Sequence, residues 1–337
     1  MLADLLSGNA PIIDLIIPGL LNLPVFELHE EQLVSATPCL HRLLRYASRT
    51  PSSVHDFDTT LIQTLGLQQS ALPYARALQP HKQKTSLLFM PVHLKADMNN
   101  AIVYPVQVSD DDITLLINDL AEFFKQDCEI LRLPDGSWMM TLHNCQPVLE
   151  LPHYLTALGK KVTHYLEQAK TSLDWFRLFN EMQMFLYQHA LNQQRMHEGQ
   201  PVINSLWCWG ADAYRGEKFS DRQWFSDDHA LRALGELYCG HAATLDQLAR
   251  SDLTSDASIV NLSLLRDLKS QHDNDLMQTL ISLERECIQP LMAHSNIQLS
   301  VLTAGPENLY YRPSLRYKFW KKPLSLSRLN LQLSQRA

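Results

Sequence analysis

The sequence predicts an α/β protein with a mixed or mainly parallel sheet flanked by helices. Three observations lead there. Strand-like and helix-like segments alternate along the 337 residues, the pattern of a layered α/β fold. The first strand segment is a continuous apolar run, as expected where a strand is buried on both faces. Hydrophobic residues make up 45% and charged residues 19% of the chain, enough for a sizeable core.

The elements follow in order. Residues 12–17 (IIDLII) read as a buried strand stopped by Pro18-Gly19. Residues 38–47 and 56–67 have helical apolar spacing, and 86–92 and 100–105 read as strands. Ser109 with Asp110, Asp111 and Asp112 starts a helix, because acids in the first turn complement its dipole. Residues 128–133 and 137–142 flank Pro134-Asp135-Gly136, a hairpin signal. Residues 172–197 form the strongest helix, with Trp175, Phe179, Met182, Leu186 and Ala190 on one stripe and Gly199 as its cap. Residues 202–209 read as a strand ending at Gly210, 228–238 and 243–249 as helices, and 275–293 as a long helix that Pro290 ends or kinks. A late strand covers 296–302. Residues 1–211 are expected to form an N-terminal lobe carrying an Asn/Arg motif. Residues 228–337 form a C-terminal lobe, 212–227 link them, and the lobes pack as one globular unit.

Lys and Arg number 29 against 36 Asp and Glu, a net charge of −7. That balance argues against a general nucleic-acid or anionic-membrane surface. The aromatic, basic stretch 318–322 (KFWKK) reads as a strand end or solvated tail. Six cysteines are scattered without Cys-x-x-Cys, the usage of reduced cytoplasmic thiols. No basic region precedes the apolar stretch 12–21, and no run approaches the roughly 18 apolar residues of a membrane span. A cytoplasmic protein with no membrane or nucleic-acid partner is therefore expected.

The densest polar constellation lies on the 172–197 helix and the strand after it. Glu181, Gln188, Asn192 and Arg195 share a helix face, His189 lies close to it, and Asn204 returns on the next strand. An Arg with carboxamides and a His can bind an anion by charge-assisted hydrogen bonds. The competing reading is a buried polar network that fixes the helix–strand joint. His93 is the remaining candidate, at a predicted strand end, where sites collect in α/β folds. Thus His93, His189, Asn192, Arg195 and Asn204 are the candidate ligand-binding residues. Asp227-Asp228-His229 lacks a chelating spacing and reads as an acidic helix start. No metal ligands or catalytic residues are assigned. Phosphate-binding loop, dinucleotide, nucleophile-elbow and His-Glu-x-x-His signatures are missing.

Residues 179–210 carry Asn180, Glu181, Gln183, Met184, Leu186, His189, Asn192, Arg195, Gly199, Asn204, Ser205 and Trp207. In this order they resemble the bacterial family called regulatory protein, RpfE type, often labelled phosphoglycerate mutase-like. Pro91-Val92-His93-Leu94 with Asp97 resembles a second segment of that family, with Met90 where the family has Asp. A shorter part of the motif is similar to archaeal cofactor-independent phosphoglycerate mutases. That resemblance implies a remote alkaline-phosphatase-like fold, two divalent metals and a Ser carrying the phosphoryl group. Pro18-Gly19 follows the first strand instead of the Asp-Gly such a metal ligand needs, and no nucleophilic Ser stands out.

Three functions stay open. The first is a non-catalytic or regulatory member binding a small phosphorylated anion, without a cofactor. The second is a protein–protein adaptor using Trp207, Trp209 and Trp224, as a partner of another protein or of itself. The third is an active phosphomutase or phosphatase, which alone would need a divalent metal.

Overall fold

The computed structural model describes residues 10–23, 30–68, 71–79, 84–134, 136–144, 151–169, 173–211, 221–269 and 276–313, with 326 and 329. The stretch 318–322 and most of the proposed linker lie outside the described residues. The strands are β1 (Ile12–Ile16), β2 (Ser48–Pro51), β3 (Ser86–Asp97), β4 (Asn100–Pro105), β5 (Cys128–Arg132), β6 (Trp138–Leu142), β7 (Ser205–Trp209), β8 (Gln223–Ser226), β9 (Ala257–Val260), β10 (Gln298–Leu302) and β11 (Glu307–Tyr311).

The chain divides into two compact units, Met1–Leu67 with Lys218–Ala337, and Gln68–Glu217. This differs from the expected division. Residues 1–211 do not form one lobe, because β1 pairs with β9 and β10 from the far end of the chain. The second unit is an insertion in the first. Its N-terminal limit, Gln68, follows a helix with no composition break.

The first unit is built on a sheet of order β2-β11-β10-β1-β9-β8. β8, β9, β1 and β10 run parallel, and β11 and β2 are antiparallel to their neighbours. Ile13, Leu15, Ile259, Leu299 and Val301 face a core that also holds Leu40, Leu43, Leu44, Leu283 and Ile288. The helix Pro38–Tyr46 starts on a proline, and its Cys39 and Leu40 amides donate to the Glu284 carboxylate at 2.7 and 2.8 Å. That buried acid satisfies two amides with no partner inside the helix. Glu284 itself opens a π-helical turn, Glu284–Ile288, between Leu276–Leu283 and Gln289–Ala293. Pro290 cannot donate to the carbonyl four residues back, and the ladder widens just before it. On the other face, Trp224 packs against Gly235 of the helix His229–Cys239; a Cβ there would lie 2.2 Å from the indole.

Among the described residues, the named strands of the second unit pair antiparallel: β3 with β4, β6 and β7, and β5 with β6. The mixed α/β class is therefore realised as one mostly parallel sheet and one antiparallel sheet. β3 runs five residues beyond the predicted end, because β4 continues its ladder after Val92. His93 consequently sits in mid-strand, opposite Tyr104, and not at a strand end.

The predicted helix 172–197 is two helices, Leu173–Gln188 and Ala190–His197. His189 separates them in an extended conformation, and its Nδ1 accepts the Leu191 amide at 3.2 Å. Side chains downstream cap the first helix: Asn192 Nδ2 donates to the Leu186 carbonyl at 2.6 Å and Gln193 Nε2 to that of Tyr187 at 2.8 Å. Trp175, Met182 and Leu186 are buried as expected, but Phe179 is half-buried and Ala190 exposed. Gly199 does end the second helix, at φ +69°. The three tryptophans proposed as adaptor anchors are buried: Trp207 is 1%, Trp209 4% and Trp224 0% exposed. Among the described residues no helix is long and apolar enough to cross a membrane.

Candidate functional site

Four of the five candidate residues converge on one stretch of backbone, Pro201–Asn204, which enters β7. His93 donates from Nδ1 to the Val202 carbonyl at 2.9 Å. Asn204 accepts the Leu94 amide at 2.7 Å and donates to the Leu94 carbonyl at 2.9 Å, extending the β3–β7 pairing through a side chain. Asn192 does the same for Ile203, accepting its amide at 2.8 Å and donating to its carbonyl at 2.7 Å. Arg195 donates from Nε to Pro201 at 2.9 Å and from Nη1 to Gln107 at 3.0 Å. Burial draws its guanidinium below the ordinary value. His189 belongs elsewhere: its Nε2 meets the Asp119 carboxylate at 3.1 Å. Glu181 pairs with Arg177 on the helix surface, not with Arg195. These bonds are those of a polar network fixing the helix–strand joint. An anion at Arg195 would have to displace the Pro201 or Gln107 carbonyl.

The carboxyl ends of the parallel strands are the other place where an α/β sheet builds sites. Here β8 is followed by Asp227 and Asp228, β9 by Asn261, β1 by Ile17 and Pro18-Gly19, and β10 by Thr303. Asp228 caps the next helix by accepting the Leu231 amide at 3.0 Å, as an acidic helix start should. Its second oxygen takes Arg266 Nη2 at 2.7 Å, while Arg266 Nη1 meets Asp227 at 2.8 Å. Asp227 also accepts the Leu262 amide at 3.0 Å. Burial pushes the Asp227 carboxyl upward, and the Arg266 guanidinium opposes that shift. Asn261 accepts from the amide and hydroxyl of Ser263, and Thr303 donates its hydroxyl to Glu307.

The two divalent cations implied by the mutase resemblance do not fit this arrangement. The acidic pair is already bridged by a cation of the chain itself, and each carboxylate also holds a backbone amide. Among the described residues no group of three His, Cys, Asp or Glu side chains could hold a metal. Arg266 was not visible as a partner in the sequence because it lies 39 residues after Asp227. Only the sheet brings the loops after β8 and β9 together.

No protein-family model matches the chain, and no curated protein matches it in sequence. Among solved structures, the chain is similar to the PH0037 protein from Pyrococcus horikoshii, at 12% identity and a TM-score of 0.51, covering 96% of this chain and 92% of that one. What is shared is the fold. A cofactor-independent phosphoglycerate mutase from Thermoplasma acidophilum aligns at 13% identity and a TM-score of 0.42, over 97% of this chain and 100% of that one. That is a remote structural resemblance and no more.

Proposed function

We propose that the chain is a non-catalytic, regulatory relative of the mutase-like proteins that residues 179–210 resemble, of the RpfE type and cytoplasmic. The observation that carries the reading is the Arg266 clamp on Asp227 and Asp228. It occupies the carboxylates at the sheet's carboxyl end with an internal cation. The small phosphorylated ligand expected from the sequence remains part of the proposal, with Arg195 as its contact once the Gln107 carbonyl is released.

The test is turnover of phosphoglycerate by the purified chain with Mn²⁺ or Mg²⁺ added. The expected result is none above background. Turnover that a chelator abolishes would overturn the non-catalytic reading. Thermal shift with a panel of phosphorylated metabolites, on wild type and Arg195→Lys, addresses the ligand. A shift lost in the variant while the fold survives supports the anion site. No shift for either protein leaves Arg195 with its role in the joint.

A further inference from the structure

The helix Leu173–Gln188 presents Trp175, Phe176, Phe179, Asn180 and Gln183 on one face, at steps of three and four. That face does not close against its surroundings. Between it, the helix Thr163–Ala169 and β7 lies a cavity of about 350 Å³. The space opens to solvent at Phe176, which is 37% exposed, and at Glu167, and small-molecule sites begin near ~300 Å³. Four aromatic rings line the space: Trp175, Phe176, Phe179 and Trp207. Trp175 and Phe179 lie with ring centroids 5.7 Å apart and tilted by 31°. The indole N–H of Trp207 is engaged with the Pro152 carbonyl, so its ring offers the cavity only an apolar surface.

The charge at the wall has one sign. Glu167 is the sole charged side chain among the described lining residues, with the neutral polar groups of Thr163, Asn180 and Gln183 beside it. Gln183 Nε2 donates to the Ser205 hydroxyl at 3.1 Å, so its amide is already anchored to β7 at the cavity wall. Aromatic faces and a carboxylate both favour a positive charge, and no Lys, Arg or His stands among the described lining residues to receive an anion. Asn180, Gln183 and Trp207 are also motif residues that the helix–strand joint does not use.

We propose that this cavity binds a small organic cation with an apolar body, of the arylalkylamine class, with the ammonium toward Glu167 and the body against Trp175, Phe176 and Phe179. The inference is independent of the proposed regulatory function, and the two tests share no readout.

Three probes of similar size separate the contributions: phenylethylamine, phenylethanol and phenylacetate. Each is titrated into the purified chain and followed by tryptophan fluorescence. The amine should give a saturable change and bind about tenfold more tightly than the alcohol, and phenylacetate should not saturate. Glu167→Gln should bring the amine to the level of the alcohol and leave the alcohol unchanged. Leu166→Trp, which fills the space, should abolish the response to both, with circular dichroism confirming the fold. No saturable response of the wild type to the amine, preference for phenylacetate, equal binding of amine and alcohol, or an unchanged amine affinity in Glu167→Gln would each overturn the proposal.

Discussion

Two regions of the same helix–strand motif use carboxamides in opposite ways. Around Pro201–Asn204, Asn192 and Asn204 turn their amides onto backbone groups and complete a ladder that the main chain leaves open. One helix earlier, Asn180 and Gln183 face an apolar space of about 350 Å³. The residue types are alike. The difference is what stands opposite: an irregular backbone entering β7 in one case, aromatic rings in the other. Polar side chains next to irregular backbone are recruited to satisfy it, because an unpaired buried amide or carbonyl is costly. Beside the apolar space, Gln183 bonds instead to a side chain, the Ser205 hydroxyl.

The largest effect expected from this contrast is in the joint. Asn192→Leu leaves the Ile203 amide and carbonyl without their partner, while the Leu186 carbonyl loses one donor and keeps the His189 amide at 3.3 Å. At roughly 1–3 kcal/mol per unsatisfied buried group, two such groups should cost about 2–6 kcal/mol, read by urea unfolding. A loss below ~1 kcal/mol would mean that the joint is held by something else.

The helix Leu173–Gln188 offers a matched pair of aromatic truncations. Trp175, 2% exposed, should cost about 3–5 kcal/mol on replacement by Ala. Phe179, half-buried at the cavity wall, should cost about 1–2 kcal/mol. Equal losses would show the cavity wall to be packed like the core.

Arg195→Lys cannot reproduce the two bonds that the guanidinium sends in different directions, to Pro201 and Gln107. A shift of about 1–2 kcal/mol in unfolding free energy is expected. Asn180→Ala should stay within ~0.5 kcal/mol of wild type. If it matches Asn192→Leu, the contrast between the regions fails.

The smallest effect concerns the other sheet, where a polar group faces an ordered strand pair. Asp14 on β1 is paired with Arg222 at 2.6 Å, yet burial raises its carboxyl above the ordinary 3.8. The native state therefore holds this proton more tightly than the unfolded chain does. Stability from this group is present at acid pH and declines as pH rises through the window above 3.8. Asp14→Asn should flatten that part of the stability–pH profile. An unchanged slope in thermal midpoints across the window would contradict the assignment.

Much of the local structure was legible because it rests on local physics. Ser109 and Asp228 cap helices where first-turn amides need acceptors. Gly199 ends a helix where a left-handed φ is required. The break at His189 was not legible: the apolar stripe runs through it, and the interruption depends on Asn192 reaching back to Leu186. β8 fell inside the supposed linker because four residues next to Trp224 carry too little pattern to be seen. Four of the candidate residues do meet. They meet on backbone, which spacing could not reveal.

By itself the sequence determined the α/β class, the positions of most strands and helices, and the polar concentration between His189 and Asn204. Those features depend on periodicity, capping and turn chemistry within a few residues. The tertiary structure decided which strands share a sheet, that one unit is inserted in the other, and that Arg266 bridges Asp227 and Asp228. It also decided that the face of Trp175, Phe179 and Gln183 borders a cavity and not a packed core. Each of these joins residues tens to hundreds of positions apart. Contacts at that range are set by how buried surfaces fit across the whole unit, for which no local pattern in the chain is a sufficient record.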